Sequence, residues 1–198
     1  TNGKTKAADY TATCQSKFKE CLQKTKGTTV TDDEDPVISG TPSDITQTAD
    51  AEQCAAVVTF TAATADDNCG IATFSGSANS GDSFPVGATT VTYTATDDAG
   101  NTSTSSFTVT ITDDEAPVIT GTPSNIQADM DAGSCDAVVS WTAPSTTDNC
   151  STTLTSSHDS GDTFNGGVTT VTYTSTDGAG NVTTSSFTVT VSDAEDPT

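Results

Sequence analysis

Asp32 to Ile45 reads DDEDPVISGTPSDI, and Ile111 to Ile126 reads ITDDEAPVITGTPSNI, the same phrase returned with few changes. A third opening, DAEDPT, occupies Asp193 to Thr198, so Pro36, Pro117 and Pro197 mark a period of about 80 residues. A period of that length is the size of a small β-sandwich, which predicts two modules in series and the stub of a third. The expected boundaries are 1–30 for an N-terminal extension, 31–112 and 113–192 for the modules, and 193–198 for the stub.

The rest of the period reads as strands. In VTYTATDDAGNTSTSSFTVTIT, Val91 to Thr112, the apolar Val91, Tyr93 and Ala95 alternate with threonines, and so do Phe107, Val109 and Ile111. Alternation with a period of two is the mark of a half-buried antiparallel strand. Asp98-Ala99-Gly100 between the two runs has the composition of a tight turn. The second period repeats the pattern with Val171 and Tyr173, the loop Asp177-Gly178-Ala179-Gly180-Asn181, then Phe187, Val189 and Val191. Val58 with Phe60, and Val139 with Trp141, predict an earlier inward-facing strand. About seven strands and no helix are expected in each module.

Composition bounds the class. Apolar residues make up 32% of the chain and threonine is its commonest residue, too little for a large α/β core but enough for two thin sandwiches with polar outer faces. No apolar run approaches the ~18 residues of a membrane span. Without an initiator Met or a hydrophobic leader, the chain reads as the processed form of a secreted protein. Six cysteines, two recurring at the same place in each repeat, fit an oxidising compartment.

Charge is segregated along the chain. The six cationic side chains are Lys4, Lys6, Lys17, Lys19, Lys24 and Lys26, accompanied there by Asp9 and Glu20, and the other 25 of the 27 carboxylates follow with only His158 as a candidate cation. Internal ion pairs cannot offset such a body, so divalent cations or the basic segment of another copy are the expected partners. Nucleic acid is disfavoured, because its phosphates would meet a strongly negative surface. No catalytic triad, nucleotide loop or zinc ligand set occurs, so no enzymatic activity is expected.

The order Asp-x-Glu-x-Pro-Val-Ile, a Cys before Ala-Val-Val, Asp-Asn-Cys, Ser-Gly-Asp-Ser-Phe-Pro-Val-Gly, Thr-Thr-Val-Thr-Tyr-Thr-Ala-Thr-Asp and Ala-Gly-Asn resembles the hyalin repeat (HYR) family. The resemblance covers about residues 32 to 192 and implies an all-β chain of two tandem immunoglobulin-like β-sandwiches, extracellular and adhesive or structural in context. The second module departs from it at Phe164-Asn165-Gly166-Gly167, where the family favours Phe-Pro-x-Gly. Many members also carry a Cys pair at the positions of Thr41 and Ser105, and of Thr122 and Ser185. With that pair gone, one disulfide within each module remains, Cys54 to Cys69 and Cys135 to Cys150, with Cys14 and Cys21 engaged separately. The alternative is free or intermolecular thiols, since a straight run from Ala55 to Ala62 would hold Cys54 and Cys69 on the order of 25 Å apart.

In an immunoglobulin-like sandwich the incoming linker, the loop after the second strand and the last hairpin loop share one pole. The second module would bring Asp113, Asp114, Glu115, Asp148, Asp177 and Asn181 there; the first would bring Asp32, Asp33, Glu34, Asp66, Asp67, Asp97 and Asp98. Calcium takes six to eight oxygen ligands, and acids converging from three loops suit it, which makes calcium the expected cofactor. The plain alternative is solubility and turn chemistry.

The N-terminal stretch ADYTATCQSKFKECLQ reads either as a helix through Tyr10, Cys14, Cys21 and Leu22 or as a strand through Tyr10, Ala12, Cys14, Ser16 and Phe18. As a strand it could add to an open sheet edge, on its own module or on another copy. The expected function is a secreted structural protein that joins head to tail into a filament or surface array. Tyr10, Ala12, Cys14, Lys17, Phe18 and Lys19 would form the front of the joint, with Asp193 and Glu195 at its rear. The alternative is an adhesion fragment of a longer repeat protein, with cell-surface or glycan ligands.

Overall fold

The structure, a computed structural model, describes residues 32–194. Among these residues every regular element is a strand. The first repeat contains β1 (Val37–Ser39), β2 (Ile45–Thr48), β3 (Ala55–Val57), β4 (Thr64–Asp66), β5 (Ile71–Gly76), β6 (Ser83–Pro85), β7 (Gly87–Asp97) and β8 (Thr102–Thr112). The second repeats the series with β9 (Val118–Thr120), β10 (Ile126–Asp129), β11 (Asp136–Val138), β12 (Ser145–Thr147), β13 (Thr152–Ser156), β14 (Thr163–Asn165), β15 (Gly167–Asp177) and β16 (Val182–Ser192). Each repeat has eight strands where about seven were expected.

Each repeat builds one four-stranded sheet, in the order β2-β8-β7-β5 or β10-β16-β15-β13, and two short antiparallel pairs, β1-β4 with β3-β6 or β9-β12 with β11-β14. The chain is therefore two tandem all-β sandwiches. The long hairpin is antiparallel, with Val171 opposite Phe187 and Tyr173 opposite Ser185. The strand that enters the four-stranded sheet first runs parallel to the last, Ile45 beside Val109 and Ile126 beside Val189.

By Cα packing the described chain forms two compact units. Residues up to Asp44 join Thr59–Gly81 and Thr90–Thr108 in the first; Ile45–Val58, Asp82–Thr89 and the residues from Val109 onward form the second. In the first, the rings of Phe60 and Phe107 meet edge to face at 5.0 Å and Tyr93 stacks between Phe74 and Phe107. In the second, Ala137, Val139, Phe164, Val171, Tyr173, Phe187, Val189 and Val191 form one buried cluster, with Trp141 and Leu154 against it.

The period-two reading of the long strands is reproduced in burial: Val91, Tyr93, Ala95, Phe107, Val109 and Ile111 are all buried. The strand expected through Val58 and Phe60 ends at Val57, before either residue. Val58 is buried and donates its N–H to the Asp82 carbonyl, while the Phe60 N–H goes to Ser80 Oγ, so side-chain oxygen replaces the ladder where the strand ends. Val139 and Trp141 do the same with the Asp162 carbonyl and Ser160 Oγ.

Candidate functional site

The hairpin joining the two long strands begins the site. Gly180, at φ 96°, occupies the left-handed region in which a side chain is strained, and this turns the chain back so that three successive N–H groups face inward. Asp177 Oδ1 accepts all three, from Ala179, Gly180 and Asn181, at 2.9, 2.7 and 2.8 Å. Asn181 Nδ2 donates to Asp177 Oδ2 at 2.7 Å and to the Asp113 carbonyl at 3.1 Å, which ties the incoming linker to the hairpin. Burial alone would raise the Asp177 carboxyl, but the Asn181 side chain and the loop amides outweigh it and hold the group below the ordinary carboxylate range. Asp97 is held low in the same way by Asn101, Gly100 and Ala99. Asp97 and Asp177 thus organise their own loops whatever else they bind.

Beside that loop three carboxylates converge. One oxygen from each of Asp113, Asp148 and Asp177 lies within 4.8 Å of the other two. Asp113 is 8% exposed; its Oδ1 accepts from Asn149 Nδ2 and the Glu115 N–H, but its Oδ2 is buried with no hydrogen-bond partner. Asp148 is equally divided: Oδ2 accepts the Cys150 N–H at 3.0 Å, and Oδ1 is buried and unpartnered. Between residues 32 and 194 there is no Lys or Arg to serve them. Two bare carboxylate oxygens out of water are costly unless a cation meets them. Three Asp side chains supply hard oxygen donors of the kind Ca²⁺ takes, with water completing its shell.

The first repeat gathers Asp32, Asp67 and Cys69 within the same distance. Cys69 is disulfide-bonded, so it brings no thiolate. Asp33, Glu34, Asp98, Asp114 and Glu115, all expected as ligands, are exposed, and none of them is in either cluster. Asp66 lies in β4, and Asp97 is in its hairpin but outside the cluster. Asn149 went unread as a site residue, although its place beside the Cys of Asp-Asn-Cys carried that signal.

The expected cysteine pairing is overturned. Cys54 is bonded to Cys150, 96 residues away, with 4.8 Å between their Cα atoms, and Cys135 is free and exposed. The cause is the course of the chain after each first cysteine. β11 pairs with β14 and β12 with β9, so residues 136–147 pass from one sheet to another without the fold-back that would return Cys150 to Cys135. Asn149 Nδ2 donates to the Gln53 carbonyl at 3.2 Å beside the bond, so the loop of Cys54 and the Asp-Asn-Cys loop are joined twice.

The positions at which many family members carry a second cysteine pair face one another here as hydroxyls. Thr41 Oγ1 and Ser105 Oγ are 2.8 Å apart, Thr122 Oγ1 and Ser185 Oγ 2.7 Å. The side-chain amides of Asn101 and Asn181 donate within the hairpin and to the linker. Among the described residues, no helix is long and apolar enough to cross a membrane. Tyr10, Ala12, Cys14, Lys17, Phe18, Lys19, Cys21 and Glu195 lie outside the described residues; Asp193 is exposed.

Comparison with known proteins places these loops in a family. The model of the HYR domain matches residues 31–111 and 112–191. Hyalin of Lytechinus variegatus is 40% identical over 195 residues, covering 96% of this chain and 37% of that protein. Hyalin of Strongylocentrotus purpuratus is 36% identical over 79% of the chain and 13% of its own length. The Rattus norvegicus sushi, von Willebrand factor type A, EGF and pentraxin domain-containing protein 1 is 36% identical over 91% of the chain and 5% of its own length. The chain therefore spans little more than a third, or less, of these curated relatives. Among solved structures, protocadherin gamma C5 EC1-3 aligns over 80% of the chain and 68% of its own with 16% identity and a TM-score of 0.35.

Proposed function

Because this chain belongs to the HYR family, as an extracellular, adhesion-related repeat protein, we propose that it serves as a structural element whose modules are stiffened by calcium and whose copies join head to tail. The observation that supports the calcium reading is the pair of buried oxygens, Asp113 Oδ2 and Asp148 Oδ1, left without a partner beside Asp177. Ca²⁺ would be held by Asp113, Asp148 and Asp177 and would supply the positive charge this part of the chain lacks. Asp148 and Cys150 are adjacent and share a hydrogen bond, so an ion held there would also fix the loop that carries the disulfide.

Calorimetric melting with calcium and with chelator tests it. At calcium a hundredfold above its dissociation constant the folded state gains about 2.7 kcal/mol. An unchanged transition would remove the ion from the account.

Head-to-tail joining is supported by the charge segregation: all six lysines precede residue 27, and the body is acidic throughout. Deleting residues 1–26 is expected to leave soluble, folded two-module monomers, checked by electron microscopy and sedimentation. Filaments formed as readily by the truncated chain would place the joint elsewhere. A second reading, a segment of a longer cell-surface repeat protein that binds adhesive ligands, is favoured by the small share of each relative that the chain spans.

A further inference from the structure

Cys135 stands where Cys54 stands one repeat earlier, yet Cys54 is bonded and Cys135 is free. We propose that Cys135 is the attachment point for the Asp-Asn-Cys loop of a following HYR repeat, so that the first cysteine of each repeat bonds the second cysteine of the next.

The two loops are built alike, down to their hydrogen bonds. In the first, Asp50 N–H donates to the Ala55 carbonyl, Gln53 N–H to the Asp50 carbonyl, Val57 N–H to Asp50 Oδ2, and Val86 N–H to the Cys54 carbonyl. In the second, Asp131 N–H donates to the Asp136 carbonyl, Ser134 N–H to the Asp131 carbonyl, Val138 N–H to Asp131 Oδ2, and Gly166 N–H to the Cys135 carbonyl. Even the left-handed turn is kept: Glu52 has φ 60°, the one positive value among the described non-glycine residues, and its counterpart Gly133 has φ 76°. A β-carbon at this φ is strained, so the loop shape is imposed by its place in the fold and not by residue preference.

Likeness of loops alone would prove nothing about a ligand. What points to one is that the first of the two holds its ligand in this same chain. Cys54 bonds Cys150, and the Gln53 carbonyl accepts from Asn149 of the same Asp-Asn-Cys triplet. The second loop offers the matching set, the Cys135 thiol and the Ser134 carbonyl. Both Asp-Asn-Cys triplets of the described chain are already committed, since Cys150 is bonded to Cys54 and Cys69 is also in a disulfide. The partner is thus a further repeat, for which the DAEDPT at Asp193 to Thr198 reads as the opening phrase.

Bond formation needs an oxidant. Two thiols lose two protons and two electrons, and a small disulfide such as oxidised glutathione takes them up to become two thiols, by thiolate attack through a mixed disulfide. Nothing in this step involves the cation site.

The test replaces Thr198 with a second copy of residues 118–192 in which Cys135→Ser is made, so that a single Cys135 remains and the spacing from Pro117 to Pro197 is preserved, and oxidises the extended chain in a glutathione buffer. Unreduced peptide mapping is expected to link Cys135 to the appended copy of Cys150, with alkylation of Cys135 lost and Cys54–Cys150 retained as the internal reference. In the same extended chain with Cys150→Ser made only in the appended copy, Cys135 should again be alkylated. The proposal is overturned if Cys135 stays open to alkylation while Cys54–Cys150 is intact, or if it remains protected in the Ser variant.

Discussion

The heads of the two repeats share the triplet Asp-Asn-Cys, Asp67 to Cys69 and Asp148 to Cys150, but use it differently. In the first, Asn68 Nδ2 donates to Glu34 Oε2 of its own linker at 3.0 Å, and the grouped donors are Asp32, Asp67 and a cystine sulfur. In the second, Asn149 donates to Asp113 Oδ1 and to the Gln53 carbonyl, Cys150 is bonded to Cys54, and the grouped donors are three carboxylates. Asp113 is buried while its counterpart Asp32 is only half-buried. The motif is the same; among the described residues, the loop of Cys54 is seen only at the second head. The three-carboxylate grouping is found at the head whose cysteine is bonded to Cys54, and the shared triplet by itself does not distinguish the two heads.

Breaking the covalent join is expected to have the largest effect. Cys54→Ser with Cys150→Ser opens a 96-residue separation, for which the chain-entropy model predicts a loss of about 3–5 kcal/mol. Denaturant melts of the oxidised wild type and the double variant measure it. A loss confined to a few tenths of a kcal/mol would mean the bond does not constrain the second head.

The cores differ as instructively as the heads. Trp141 Nε1 donates to Tyr173 Oη at 2.6 Å, whereas the buried hydroxyl of Tyr93 has no partner and Phe60 stands where Trp141 does. Trp141→Phe should cost about 1–3 kcal/mol by leaving the Tyr173 hydroxyl in the same state. Phe60→Trp should recover about 1 kcal/mol in the first repeat, where a cavity lined by Phe60, Ala62, Phe74, Gly76 and Tyr93 offers room. Thermal melts of the two variants should move in opposite directions; equal losses would show that ring packing, not the hydroxyl, governs both.

The hairpins are where the repeats agree, and there a smaller effect is expected. The folded carboxyls of Asp97 and Asp177 titrate below their unfolded value, so their contribution is present above about pH 4 and is lost as pH falls through the folded values. Asp177→Asn should flatten the acid side of the stability profile, measured as melting temperature against pH. A profile as steep as that of the wild type would assign the acid sensitivity to other carboxylates.

Much of this was legible in the chain. The threonine alternation of Val91 to Thr112 marks its strands because burial of every second side chain is a local constraint. The repeated opening marks the modules because it recurs whole. The cysteines were not legible, because a spacing of 15 residues between Cys54 and Cys69, and again between Cys135 and Cys150, is compatible with pairing inside a repeat and with pairing to the next. Which holds depends on where the neighbouring loop arrives. The acids divide on the same ground. Composition groups Asp98, Asp114 and Asp148 alike, but only their surroundings separate two exposed side chains from one with a buried, unpartnered oxygen.

Calcium titration by calorimetry of the full oxidised chain against two variants tests the central claim most directly. The account predicts binding by the wild type, its loss in Asp113→Asn with Asp148→Asn, and its retention in Asp32→Asn with Asp67→Asn. Equal binding by both variants, or none by the wild type, would contradict a calcium site built from Asp113, Asp148 and Asp177.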